Sequence, residues 1–226
     1  QSYMAYQSYL INYDESNNKF YSLALNNNGV SQKYTSDTKG YNNKYNLNVA
    51  IQFKEDFYFG ININTHEIFL ENFLSHYESN FDENSAIKSI LFENRLTTYG
   101  EGFSFQLGAI RKFNNFRIGF SYKSPTWYTL WDETTQYLET ESVDINGTIY
   151  KDIVDPRVIN MYPKYKVNSP SSLTLSSAVV IGKIGLISLD LMSTDYSKMK
   201  IKPSNEFNSS NNQIKSKLQN TFNFRL

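Results

Sequence analysis

Over most of this chain apolar side chains recur at every second residue, and that period limits what it can fold into. From Tyr45 one face reads Tyr45, Leu47, Val49, Ile51 and Phe53, with Asn46, Asn48, Ala50 and Gln52 opposite. The pattern returns at Phe57, Phe59, Ile61 and Ile63, at Phe103, Phe105, Leu107 and Ala109, and at Phe116, Ile118, Phe120 and Tyr122. It continues at Leu173, Leu175, Ser177, Val179 and Ile181, at Ile187, Leu189 and Leu191, and at Phe222, Phe224 and Leu226. Side chains alternate across a strand, so such runs read as strands with one apolar and one polar face. About seven strands are readable, and the class is all-β.

Connection lengths choose among β architectures. The junctions Lys54-Glu55-Asp56, Asn114-Asn115 and Gly182-Lys183-Ile184-Gly185 are short, and the connections near 68–95, 132–168 and 200–215 are long. Strict alternation of short turns with long loops is the habit of outer-membrane barrels, and a Greek-key sandwich has no reason to keep it. The expected fold is an antiparallel transmembrane β-barrel with Phe, Leu, Ile and Val toward lipid and Asn, Ser, Gly, Lys and Arg toward a wet lumen. Strands can span lipid only when the sheet closes, so a seven-strand set is expected to be part of a larger barrel. The apolar stretch from Leu173 to Leu191 is long enough for a membrane helix, but Lys183 between Gly182 and Gly185 reads as a turn between two strands.

Composition narrows function. The net charge is zero, which leaves nucleic acid an unexpected partner. Cysteine is absent, excluding disulfides and thiolate metal sites. Aromatics reach 16% while mean hydropathy is −0.51, a mixture that suits alternating surfaces. The two histidines, His66 and His76, have no local ligand spacing, and no nucleophile–base or phosphate-loop pattern is present. The expectation is no enzyme, no cofactor and no metal.

Two segments carry binding candidates. In SYKSPTWYTLWDE, from Ser121 to Glu133, Pro125 cannot donate to a ladder and marks a break in pairing. Trp127, Tyr128 and Trp131 beyond it read either as an aromatic girdle at the membrane interface or as the lining of an apolar pocket. In the stretch from His66 to Asn94, Ile68, Phe69, Phe73 and Tyr77 fall at helical spacing, as do Ile87, Ile90 and Leu91. Short helices are therefore expected in this outside loop, with Phe69, Phe73, Leu74 and Tyr77 packing on one another or holding an apolar ligand, and Lys88 or Arg95 near a carboxylate head group. Arg117, Lys123 and Asp190 are expected on the lumen side. Over the first forty residues, Tyr3 to Ile11 and Phe20 to Leu25 read as strand pieces or lumen-associated segments.

The stretches GFSFQLGAIRKFNNFRIGFSYKSPTWY, LTLSSAVVIGKIGLISLDLMSTDYSKMK and IKSKLQNTFNFRL together resemble hairpins of the FadL-type long-chain fatty acid outer-membrane transporters, which include aromatic-hydrocarbon carriers. The resemblance covers roughly 40–226, and its most specific blocks are SPTWY and Asp195-Tyr196-Ser197. It implies a fourteen-stranded barrel, an N-terminal plug, capture of a hydrophobic molecule among outside loops, passive uptake, and a monomer in the outer membrane of a Gram-negative bacterium, in contact with its lipid. The chain departs from the pattern: the plug with its Asn-Pro-Ala motif and the terminal aromatic hairpin are missing, so residues 1–226 read as one barrel-domain fragment. The alternatives are a surface-exposed binding or structural barrel without transport, and a soluble β-sandwich.

Overall fold

A computed structural model describes residues 2–226 of the protein. It opens with α1 (Ser2–Gln7) and a hairpin of β1 (Ile11–Asp14) and β2 (Lys19–Ser22). Long strands follow: β3 (Ser31–Phe53), β4 (Phe57–Ser79) and β5 (Ile87–Phe113), then β6 (Phe116–Lys123) and β7 (Trp127–Val143). Short strands β8 (Ile149–Val154), β9 (Asn160–Met161) and β10 (Tyr165–Asn168) lead to β11 (Ser172–Ile181) and β12 (Gly185–Asp195). A 3₁₀ turn (Tyr196–Lys198), β13 (Lys200–Lys202), α2 (Asn208–Lys217) and β14 (Asn220–Arg225) complete it.

The fold is all-β. Consecutive strands pair as β3–β4, β4–β5 and β5–β6; the N-terminal part of β5 carries β7, and β6, β11, β12 and β14 follow side by side. The pairings of β5 through β14 on this path are antiparallel. The three short junctions form tight turns, and Lys54 and Asn114 take positive φ there (55° and 49°). Asparagine tolerates that conformation; for lysine it is uncommon. The Leu173–Leu191 stretch forms the hairpin β11–β12, and no helix among the described residues is long and apolar enough to cross a membrane.

The helices expected near 66–91 are absent: β4 runs unbroken to Ser79 and β5 starts at Ile87. Phe69, Phe73 and Tyr77 are four residues apart, and four is a multiple of two, so the same spacing that reads as a helix stripe also puts all three on one face of a strand. The connection is only residues 80–86. The expected strand piece at Tyr3 is helix α1, while the connection near 200–215 does carry a helix, α2.

Two compact units emerge, each discontinuous. One comprises residues 1–40, 70–98 and 132–162; the other comprises 41–69, 99–131 and 163–226. The first has a small core in which Met4, Ile87, Ile90 and Leu138 are buried, with Leu10, Leu23, Phe81 and Phe92 packed around them. The Thr140 hydroxyl donates to the Ser8 carbonyl at 2.8 Å and ties the N-terminal segment to β7. Asp82 clamps the loop after β2, accepting from the Asn27 backbone N–H at 2.9 Å and its side-chain amide at 2.8 Å, with Asn28 repeating the arrangement. Those bonds, led by the Asn27 backbone N–H, hold its carboxyl below the usual carboxylate range.

Candidate functional site

The second unit is organised by two faces. Residues directly opposite in an antiparallel ladder point the same way, so the register defines rows. One row reads Ala109, Phe120, Leu175, Leu191 and Phe224. Its neighbours are Leu107, Tyr122, Leu173, Ser193 and Phe222 on one side and Arg111, Ile118, Ser177 and Leu189 on the other, with Phe113, Phe116, Val179 and Ile187 beyond the latter. The alternate rows are Gln106, Lys123, Ser172, Thr194 and Thr221, then Gly108, Ser121, Thr174, Met192 and Asn223, then Ile110, Gly119, Ser176, Asp190 and Arg225. Arg117 stands between Lys112 and Ala178 on that same face. Thus Arg117, Lys123 and Asp190 share the polar face.

The apolar rows are not covered. Leu175 is 48% exposed and Phe120 45%. Contiguous exposed apolar surfaces are the kind that serve as protein or membrane contacts or as ligand grooves.

Strand period separates the aromatic residues after Pro125. Trp127 stacks on Phe103 (centroids 6.2 Å, 14° between planes) and lies 6.2 Å from Phe105, whose own neighbour Tyr122 belongs to an apolar row. Trp131 stacks on Tyr99 at 5.7 Å and 18°, Tyr99 meets Phe69 at 5.7 Å, and Phe69 meets Tyr41 at 5.7 Å. The Lys164 ammonium caps this row, 4.5 Å from the Trp131 ring centroid. Tyr128 instead meets the His66 ring edge-on at 5.5 Å. His66 Nε2 lies 3.2 Å from the Ser104 hydroxyl, and the Asn64 amide donates to the Ser104 carbonyl at 3.4 Å. Asn64 is fully buried, and its carbonyl oxygen has no hydrogen-bond partner among the described residues. Gly102 makes room for this cluster, since a Cβ there would stand 2.6 Å from the Tyr128 ring.

Pro125 marks a break with more structure than a missing donor. Ser124 is fully buried; its hydroxyl accepts the Phe105 N–H at 2.9 Å and donates to the Pro125 carbonyl at 2.8 Å. On the neighbouring strand Ser169 accepts the Thr126 N–H at 2.8 Å and its hydroxyl meets the Pro170 carbonyl. Two Ser-Pro breaks therefore sit side by side, each hydroxyl replacing a ladder acceptor. The second Ser-Pro dipeptide is as visible in the sequence as the first, but nothing in a single strand's pattern says that the two are neighbours.

In the first unit, Phe73 lies under the Arg95 guanidinium at 5.4 Å. Arg95 and Lys39 both reach Glu71, at 2.7 and 2.9 Å, so Arg95 is already paired. A cavity of about 230 Å³ is lined by Phe73, Glu93, Arg95, Gln136, Tyr137 and Asp155, among others. Leu74 is half-buried, and Tyr77 is exposed. Phe69 and Phe73 fall in different units, so the sequence candidates are spread over two units. No group of three metal-ligating side chains occurs among the described residues.

Protein-family models give no match to the chain, and curated proteins give none either.

Proposed function

We propose that the chain forms wall strands of an outer-membrane β-barrel that takes up long-chain fatty acids or similar hydrophobic molecules by passive diffusion, without cofactor or covalent chemistry. The observation that carries the membrane reading is the register: apolar rows continue across β5, β6, β11, β12 and β14, with polar rows opposite. A barrel wall with a lipid face and a wet lumen calls for such a division. The fatty-acid substrate and the fourteen-strand count extend the resemblance of the SPTWY and DYS blocks. Capture would draw on apolar burial, about 25 cal/mol per Å², with Phe73 and Tyr128 as the first side chains to test.

A second reading, a surface-exposed binding or structural barrel without transport, is favoured by one observation. Trp127 and Trp131 stack with rings on the apolar side, which suits a girdle better than a pocket.

The deciding experiment loads reconstituted vesicles with a fluorescent fatty-acid sensor and compares oleate entry with that of a short polar sugar. Saturable oleate entry, weakened by Phe73→Ala or Tyr128→Ala, supports transport. Oleate entry no faster than in protein-free vesicles, with the barrel intact, leaves the second reading.

A further inference from the structure

Arg111 is out of place on its face. By register it stands opposite Ile118, one step along β5 from Ala109, among the apolar rows. Its guanidinium lies 4.7 Å from the Phe57 ring centroid and 4.4 Å from that of Phe113. Among the described residues no carboxylate pairs with it. Its charge is exposed, unneutralised and held over two rings.

The same rings lead to a groove. Phe57 stacks on Phe59 at 6.3 Å with planes 4° apart. Phe59 lines an apolar groove of about 390 Å³ together with Val49, Ile51, Ile61, Leu107 and Phe120. Ala109, the smallest side chain of its row, leaves part of that space open. A second cation sits near the same end: the Lys54 ammonium is 5.6 Å from the Phe53 ring. The turn that carries it is fixed to β5 by the Lys112 N–H, which donates to the Asp56 carbonyl at 2.8 Å.

We propose that this groove and Arg111 form a binding site for one anionic phospholipid of the surrounding bilayer. The acyl chain lies along the groove, and the phosphate meets Arg111, with Lys54 beside it. The charge pattern selects this occupant. A guanidinium near aromatic rings keeps its N–H donors, and its planar fork matches two phosphate oxygens. A lipid of no net charge or an apolar protein surface would leave the site's positive charge unneutralised beside hydrocarbon, an arrangement that costs free energy. The site rests on the membrane-barrel reading.

The test is native mass spectrometry of the full chain in mild detergent, with phosphatidylglycerol and phosphatidylcholine of identical acyl chains and with oleate as a free carboxylate. Heat-modifiable gel migration is followed in parallel. The wild type is expected to retain phosphatidylglycerol about fivefold more than phosphatidylcholine, the factor contributed by one basic residue near an anionic lipid surface. Arg111→Gln is expected to level the two lipids, and Ala109→Trp, which fills the groove, to lower both. Equal retention by the wild type, or a preference that survives Arg111→Gln, overturns the site. So does displacement of the phospholipid by equimolar oleate, which assigns the groove to a free fatty acid. A wild type without heat-modifiable migration overturns the barrel reading and the site with it.

Discussion

Leu175 offers the sharpest test of which way the apolar rows face. It lies within the row from Ala109 to Phe224, flanked by Phe120 and Leu191, and is 48% exposed. If that face meets lipid, Leu175→Arg places a charge in hydrocarbon near the middle of β11 and costs about 2–4 kcal/mol. At about 1.4 kcal/mol per factor of ten, the folding constant falls by roughly 30- to 700-fold. If the face meets water, the same change is a surface substitution worth about 0.5 kcal/mol or less. The control is the adjacent residue: Ser176→Arg points to the polar face and stands opposite Asp190, so its cost is near zero in either case. Both variants are unfolded and refolded in urea in the presence of phospholipid vesicles, with tryptophan fluorescence as the probe. A Leu175→Arg penalty no larger than that of Ser176→Arg refutes the assignment of the two faces.

The paired Ser-Pro breaks predict that Ser124→Ala costs about 1–3 kcal/mol, because the Phe105 N–H loses its acceptor in a buried setting; hydrogen exchange at the Phe105 amide, unprotected in the variant, reports it. Ser169→Ala should do the same to the Thr126 amide. Asp82 makes the loop after β2 acid-sensitive. Its folded pKa is depressed, so its contribution is complete above the unfolded carboxylate value of about 3.9 and disappears as pH falls through the lower folded value. Proteolysis at residues 26–29 should therefore accelerate only in that acid window, and Asp82→Asn should show the faster cleavage at neutral pH. Gly102→Leu forces the Tyr128 ring away from His66 and is expected to destabilise by about 1–3 kcal/mol, read by the same urea titration.

Much of the fold was legible because period two is a local signal. The apolar runs from Phe57, Phe103, Phe116, Leu173 and Ile187 and the three tight junctions appear where the alternation placed them. The long strands were underestimated for a physical reason. In Ser31–Gly40 the apolar positions thin out, and in Leu70–Ser79 they fall at Leu70, Phe73, Leu74 and Tyr77 rather than at every second residue, so the extended backbone there carries little period-two pattern. Spacings of four in Phe69, Phe73 and Tyr77 satisfy helix and strand alike, and only neighbouring strands decide between them. The candidate site was less legible because it depends on pairing between distant strands. That Trp127 would stack on Phe103, that Tyr128 would turn to His66, and that Arg111 would rest on Phe57 follow from register, which no single stretch encodes.

The two tryptophans of the chain, Trp127 and Trp131, are natural probes of the central claim, since both stack with rings on the apolar side. The most direct measurement is their fluorescence after reconstitution into vesicles whose acyl chains carry bromine, compared with unbrominated vesicles and with acrylamide added to the water phase. The account predicts strong quenching by brominated chains and weak quenching by acrylamide. Fluorescence indifferent to bromine and readily quenched by acrylamide would show that the apolar rows face water or protein, and would contradict the membrane reading.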